Sequence, residues 1–95
     1  MKNLDILVDL QYYSTNTINE EMSNNKTFAK DIQHAIKEFC AGRWGEVPKE
    51  DKEANNHDLE TLTGRVVARY KTSVKDIYII TEDFTSATIL FCDEY

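Results

Sequence analysis

The chain has 95 residues, and its 17 acidic and 11 basic side chains give a formal net charge of −6. This length predicts a single domain over residues 1–95, and the 41% apolar content argues against intrinsic disorder. The acidic balance disfavours direct binding of nucleic acid, and the apolar run Ile77–Ile80 is far shorter than the roughly 20 residues of a membrane span.

An N-terminal strand is predicted over about residues 4–12. Its apolar residues recur with the period of two that is typical of a half-buried strand. They are Leu4, Ile6, Val8, Leu10 and Tyr12. Leu7 interrupts the alternation and leaves a helix as the alternative.

Two helices are predicted after this strand. Ser14 or Thr15 caps a short one, and a longer amphipathic helix covers about residues 27–41, with a loop at 23–25 between them. Gly42 suits the end of the longer helix because glycine tolerates a positive φ. The apolar positions of the two helices are Ile18, Met22, Phe28, Ile32, Ala35, Ile36 and Phe39.

A third helix is predicted between Pro48 and Gly64. Pro48 fits the first turn of a helix, where its missing N–H is not needed, and Gly64 ends the pattern. Leu59 and Leu62 supply a thin apolar stripe. The pair at 55–56, two asparagines, is a weak point at which this helix is expected to be prone to break.

Three strands are predicted in the C-terminal third, over residues 65–72, 77–81 and 87–92. The first alternates apolar and basic side chains, whereas the other two are apolar on both faces, as central strands are. Short loops join them, which favours hairpins. The predicted fold is therefore α+β: an N-terminal strand, two to three helices and a C-terminal three-stranded antiparallel meander with the helices on one face. The N-terminal strand is a candidate fourth strand of that sheet.

A dense turn motif, Gly42-Arg43-Trp44-Gly45-Glu46-Val47, lies between two of the predicted helices and holds the only tryptophan. We interpret Trp44 as a core side chain that locks the turn, with Gly42, Gly45 and Gly64 as structural glycines. A role of Trp44 as an anchor for a protein partner is the alternative.

This motif, followed by Tyr78-Ile79-Ile80-Thr81-Glu82 and by Glu94-Tyr95, resembles a small family of Trp-Gly-motif proteins from phages, plasmids and integrative elements. The resemblance runs from about residue 30 to the end, although family members commonly carry an acid at Arg43 and a base at Phe84. It implies a mobile-element setting in a bacterial host cell. Small acidic proteins of that setting, anti-CRISPR proteins among them, bind and inhibit defence nucleases. The further matching positions are Asp51, Asn55, Leu59, Gly64, Tyr70, Thr88 and Leu90.

The leading hypothesis is a non-enzymatic protein of the anti-CRISPR type that binds a defence nuclease through an acidic surface. A line of carboxylates attracts a basic channel for the reason that phosphates do. A solvated helix face, with Lys49 and Lys52 interleaved, is the plain alternative. The predicted partner-binding residues are Glu46, Glu50, Asp51, Glu53, Asp58 and Glu60.

The second hypothesis is a self-associating accessory module of a mobile element, which predicts a homodimer. Its interface would be one face of the predicted sheet, formed by Tyr78, Ile80, Thr88 and Leu90. An exposed apolar face usually marks an interface, whereas cover by the N-terminal strand and a helix would make these residues part of the core.

Basic side chains and strand-end carboxylates have plainer interpretations. Arg65, Arg69 and Lys71 on one strand are expected to pair with acids across the sheet rather than to bind phosphate. Glu82 and Asp83 are expected to be turn residues, because no nucleophile or phosphate-binding motif accompanies them. No enzymatic activity and no cofactor are predicted.

Cys40 and Cys92 occupy apolar positions and are interpreted as small buried hydrophobes in a reducing compartment. Their spacing gives no support to a disulfide, and His34 and His57 add no spacing typical of metal ligands. The segment at 1–5 has neither a long apolar core nor a small-residue cleavage site, so no secretory signal is predicted. The expected location is the cytoplasm.

Overall fold

The computed structural model describes residues 3–95, so the first two residues of the segment used to judge a secretory signal lie outside it. The structure is α+β, as predicted. In chain order its elements are the helix α1 (Leu4–Asp9), the strand β1 (Gln11–Ser14), the helices α2 (Asn16–Asn24), α3 (Lys26–Cys40) and α4 (Lys49–Thr61), and the strands β2 (Val66–Tyr70), β3 (Ile77–Thr81) and β4 (Ser86–Phe91). A short 3-10 turn, Cys92–Glu94, follows β4.

The four strands form one mixed sheet in the order β1-β4-β3-β2. β2 and β3 pair antiparallel, as do β3 and β4, but β1 runs parallel to β4. A parallel pair needs a long crossover connection. Here the connection between β1 and β4 consists of α2, α3, α4, β2 and β3. The sheet is therefore not a purely antiparallel meander.

The predicted strand over residues 4–12 is wrong for most of its length. Residues 4–9 form α1, and the strand begins only at Gln11. Leu7 and Leu10 are buried at three-residue spacing, whereas Val8 is 64% exposed, so the alternation does not coincide with burial. The hydroxyl of Tyr12 donates to the carbonyl of Leu7 at 2.6 Å and ties β1 back to the end of α1. With α1 added, the described residues hold four α-helices rather than the predicted two to three.

Side-chain caps set the starts of α2 and α3. Thr15 caps α2 as predicted, because its hydroxyl oxygen accepts the N–H of Ile18 at 3.3 Å. The predicted loop at 23–25 shrinks to Asn25, whose side-chain oxygen accepts the N–H of Phe28 at 3.0 Å as the cap of α3. Gly42, with φ +76°, follows the end of α3.

The core lies between the helices and one face of the sheet. Register pairs place Val66, Ala68, Ile79 and Ile89 on that face, and all four are buried. The helices contribute large apolar side chains to the same cluster. These are Leu7, Ile18, Phe28, Ile32, Phe39 and Leu59.

Two asparagines dock α4 instead of breaking it. The amide of Asn55 donates to the carbonyl of Val67 at 2.9 Å, and its oxygen accepts the N–H of Val67 at 3.2 Å. Asn56 accepts the indole N–H of Trp44 at 2.9 Å. Pro48 precedes the helix as its cap rather than lying in its first turn, and the helix ends before a left-handed Leu62 rather than at Gly64. Docking through these side-chain amides fixes the rotation of α4 about its axis, and therefore the side of the helix on which each carboxylate lies.

Replacing Asn55 with alanine is expected to lower the free energy of unfolding by about 1–3 kcal/mol, because both backbone groups of Val67 lose their partner at the sheet edge. Chemical denaturation followed by circular dichroism measures this loss. His57→Ala, an exposed position on the same helix, is the matched control and should change stability by less than about 0.5 kcal/mol. Equal results for the two variants would contradict the docking role of Asn55.

Candidate protein-binding surface

The sheet face opposite the core carries a mixed apolar and aromatic layer. Tyr78 pairs with Leu90 and Ile80 with Thr88, so the four residues proposed from the sequence do lie side by side. The same register adds Val67 from β2 and Tyr13 from β1. We call these six residues the open face. Tyr13 is 56% exposed, whereas Ile80, in the middle, is only 8% exposed because its neighbours shield it.

Tyr95 lies across the open face. Its ring packs edge-on against Tyr78 with 5.5 Å between centroids, and its hydroxyl accepts a hydrogen bond from Arg65 at 2.7 Å. Glu94 fixes the preceding turn, because one carboxylate oxygen accepts the N–H of Phe91 at 2.8 Å and the hydroxyl of Thr15 at 3.0 Å. Tyr95 remains 66% exposed, so it is held in place without being buried.

Two shallow concavities flank Tyr95. The first, of about 260 Å³, has Ile80, Thr88 and Leu90 along it and Glu82 and Asp83 at its end. The second, of about 320 Å³, lies between Tyr95 and α4 and is lined by Asp51, Asp58, Arg65, Val67 and Tyr78. Both volumes lie at or below the lower end of the roughly 300–1,000 Å³ of small-molecule sites, which favours single side chains of a partner over a whole ligand.

Asp83 is a fixed negative charge at the end of the first concavity. Its carboxylate accepts the N–H groups of Thr85 at 3.0 Å and Ser86 at 2.9 Å, as a turn residue does. These hydrogen bonds favour the ionised form and lower the pKa of Asp83 to about 2. The side chain is therefore charged throughout the physiological pH range.

The six predicted contact acids do not form one line. Successive helical residues differ in direction by about 100°, so Glu50, Glu53 and Glu60 fall within one arc of α4, opposite its buried side. Asp51 and Asp58 lie on the flank that lines the second concavity. The remaining acid, Glu46, lies in the turn before α4 and is 3.7 Å from the ammonium of Lys71.

The basic stretch at 65–75 is neutralised within the protein. Each of its four cations contacts a carboxylate, as expected for the arginines and lysine singled out from the sequence. Exposed pairs of this kind contribute only about 0–1 kcal/mol each, but they leave little net positive charge to attract phosphate. The contacts are Arg65–Glu82, Arg69–Asp76, Lys71–Glu46 and Lys75–Asp93, at 3.7, 2.9, 3.7 and 2.7 Å.

The other candidate sites are not assembled. Among residues 3–95, no group of three or more histidine, cysteine or acidic side chains is arranged to hold a metal ion. Cys40 and Cys92 are free thiols, and both are half-buried rather than buried as predicted, with Cys40 packed against the core. The thiol of Cys40 lies 3.3 Å from the hydroxyl of Tyr12, so each of these two polar groups has a hydrogen-bonding partner in the other. No helix within the described range has both the length and the apolar character to cross a membrane.

Sequence reasoning did not assign Arg65 and Tyr95 to this surface. Tyr95 follows the last strand outside any periodic pattern, so an aromatic residue beside Glu94 was its only signal. In the sequence, Arg65 is one of several basic residues at 65–75, and its contact with Tyr95 spans 30 positions of the chain, which no local pattern indicates.

Comparisons with protein-family models, with curated proteins and with solved structures found no match.

Proposed function

We propose that this protein is a non-enzymatic binding protein that attaches to a basic surface of a nucleic-acid-binding effector and inhibits it, with a bacterial defence nuclease of the CRISPR type as the target. The observation that carries the proposal is the exposed acidic surface of α4 opposite its buried residues, which we call the outer side of α4. Glu50 and Glu53 are exposed there, and among residues 3–95 the one cation within ion-pair distance of either carboxylate is Lys49, 3.9 Å from Glu53.

A basic nucleic-acid channel attracts such a surface for the reason that it attracts phosphates, namely long-range attraction and release of counterions. The side-chain amides of Asn55 and Asn56 hold α4 in place, so its carboxylates are presented by a rigid element. Internal pairing of the cations at 65–75 supports the same proposal, because the negative charge of α4 is not offset by a basic surface nearby.

Capture of purified candidate nucleases on the immobilised protein, at rising salt, tests the proposal directly. We expect capture at low ionic strength, weakening as salt increases, together with loss of binding of the effector to its nucleic acid. Failure to capture any candidate effector at low ionic strength would overturn it.

Reversing the charge at Glu50 and Glu53 is expected to slow association with the effector by roughly tenfold while changing dissociation much less, as charges at an interface rim do. Surface plasmon resonance separates the two rates. The matched control reverses two exposed acids away from α4, Asp9→Lys with Glu20→Lys, which gives the same net charge. Equal slowing in both double variants would mean that net charge, not the outer side of α4, controls association.

Self-association through the open face is the second candidate, favoured by the exposed ring of Tyr13 on the edge strand β1. Light scattering after size exclusion distinguishes the two. A stable dimer that Tyr13→Ser dissociates would support this alternative, whereas a monomer at high concentration would exclude it.

A further inference from the structure

We propose that the open face docks arginine side chains of a protein partner, with Tyr78 and Tyr95 as the rings on which guanidinium groups stack. Asp51 and Asp83 supply the opposing charges. This inference rests on the proposed function in taking the partner to be a basic protein. It goes further by naming a surface and a residue type that the acids on the outer side of α4 do not specify.

The first support comes from the arginines of the chain itself. The guanidinium carbon of Arg69 lies 5.9 Å from the ring centroid of Tyr78, and its Nε is 2.9 Å from Asp76. Arg65 donates to the hydroxyl of Tyr95, whose ring packs against that of Tyr78, and lies 3.7 Å from Glu82. This surface therefore already holds two guanidinium groups between a tyrosine and a carboxylate, a combination that suits the planar, weakly hydrated arginine better than lysine.

The second support is charge complementarity at both concavities. Asp51 lines one of them and contacts no cation within residues 3–95. Asp83 lies at the end of the other, where its hydrogen bonds to the loop leave its negative charge in place. A second copy of this chain would bring the same acids against them, and nucleic acid would bring phosphates, so a basic protein fits best among the three occupants.

The third support is shape. Ile80, Thr88 and Leu90 line the first concavity with apolar carbon, and Val67 and Tyr78 do so in the second. An arginine lays its aliphatic stem on such a surface and keeps its charged end at a polar rim. Two concavities on either side of Tyr95 therefore accept two arginines from one partner segment.

An NMR titration of the ¹⁵N-labelled full chain tests the inference without the effector. The probes are a short peptide with arginines spaced by glycine and serine, and its lysine counterpart. We expect chemical-shift changes confined to the residues that line the two concavities, namely those of β2, β3, β4 and Tyr95 and the flank of α4 that carries Asp51 and Asp58, and an affinity about two- to fivefold higher for the arginine peptide. Changes confined to the outer side of α4, or equal affinity for both peptides, would overturn the inference. So would concentration-dependent shifts of the open face without peptide, since a second copy would then occupy it.

Variants separate stacking from charge. Tyr95→Ala changes an exposed side chain and is expected to remove the preference for arginine, whereas Asp51→Asn is expected to weaken both peptides about equally. Glu20→Gln, an exposed acid on α2, is the control and should alter neither the preference nor the mapped surface. An unchanged preference in folded Tyr95→Ala would contradict the stacking role.

The two proposals fail in different ways. Capture of an effector without any response of the open face to the arginine peptide overturns only this inference. Arginine-specific binding at the open face, with no effector captured, overturns only the proposed inhibition of a nuclease.

Discussion

Replacing Gly45 with alanine is expected to lower the free energy of unfolding by about 2–5 kcal/mol. Gly45 has φ +77°, a left-handed conformation that costs a residue with a Cβ about 1–2 kcal/mol. The new Cβ would also lie 1.9 Å from the carbonyl oxygen of Arg69, which is backbone and cannot rotate away. The turn would have to leave β2 and lose two hydrogen bonds, Glu46 N–H to Arg69 O at 2.7 Å and Arg69 N–H to Trp44 O at 3.1 Å, each worth about 0.5–1.5 kcal/mol.

Gly64→Ala is the matched control for this prediction. Gly64 also has a positive φ, +65°, but a Cβ there would meet the carboxylate of Asp58 at 2.5 Å, a side chain that can rotate. Its loss should therefore be limited to the conformational cost of about 1–2 kcal/mol. Urea denaturation of both variants measures the difference. Equal losses would show that the close approach of Gly45 to β2 does not hold the turn.

The strands of the C-terminal third could be predicted to within one or two residues because their signal is local. Val66, Ile77, Ile79 and Ile89 are β-branched, lie in short apolar runs and become buried on one face. The pairing of β1 parallel to β4 could not be predicted in the same way. It depends on how three intervening helices return the chain to the sheet, which no local pattern encodes.

The N-terminal error shows where a short pattern becomes ambiguous. Leu4 and Leu10 fit both a period of two and a spacing of three, and α1 contains only residues 4–9. Leu7, which the strand interpretation treated as an exception, is fully buried, while Val8 faces solvent. Packing of α1 against α3 decided between the two patterns.

The candidate surface could be predicted only as a count of charges. The sequence shows six acids between Glu46 and Glu60, but their directions depend on how α4 docks, and Asn55 and Asn56 set that docking through contacts 12 positions away. Intrinsic propensity ranks asparagine as a poor helix former, because its side chain competes for hydrogen bonds with the local backbone. That ranking takes no account of hydrogen bonds to a distant part of the fold, which are the ones that these two asparagines form. Tyr95 reaches the open face for a similar reason, through Arg65 and Tyr78 rather than through any neighbour in sequence.

Trp44→Ala is expected to lower the free energy of unfolding by about 3–5 kcal/mol, as large-to-small changes of buried aromatic residues do. The indole is 3% exposed, packs edge-on against Phe39 at 5.5 Å and donates its N–H to Asn56 at 2.9 Å. Its loss would leave a cavity beneath the turn and an unpaired amide on α4. Small domains have a total stability of about 5–15 kcal/mol, so this variant should be close to unfolding, and thermal denaturation would show it.

Trp44→Phe separates the two contributions and decides between the core role and the partner-anchor role of Trp44. Phenylalanine keeps most of the packing against Phe39 and loses only the hydrogen bond to Asn56, so a smaller loss of about 1–2 kcal/mol is expected. If Trp44→Ala instead stayed within about 1 kcal/mol of the parent and weakened effector binding, the indole would belong to the interface. Because the ring lies among core side chains and is shielded from solvent, we expect both variants to change stability and to leave the affinity of the folded protein for its partner unchanged.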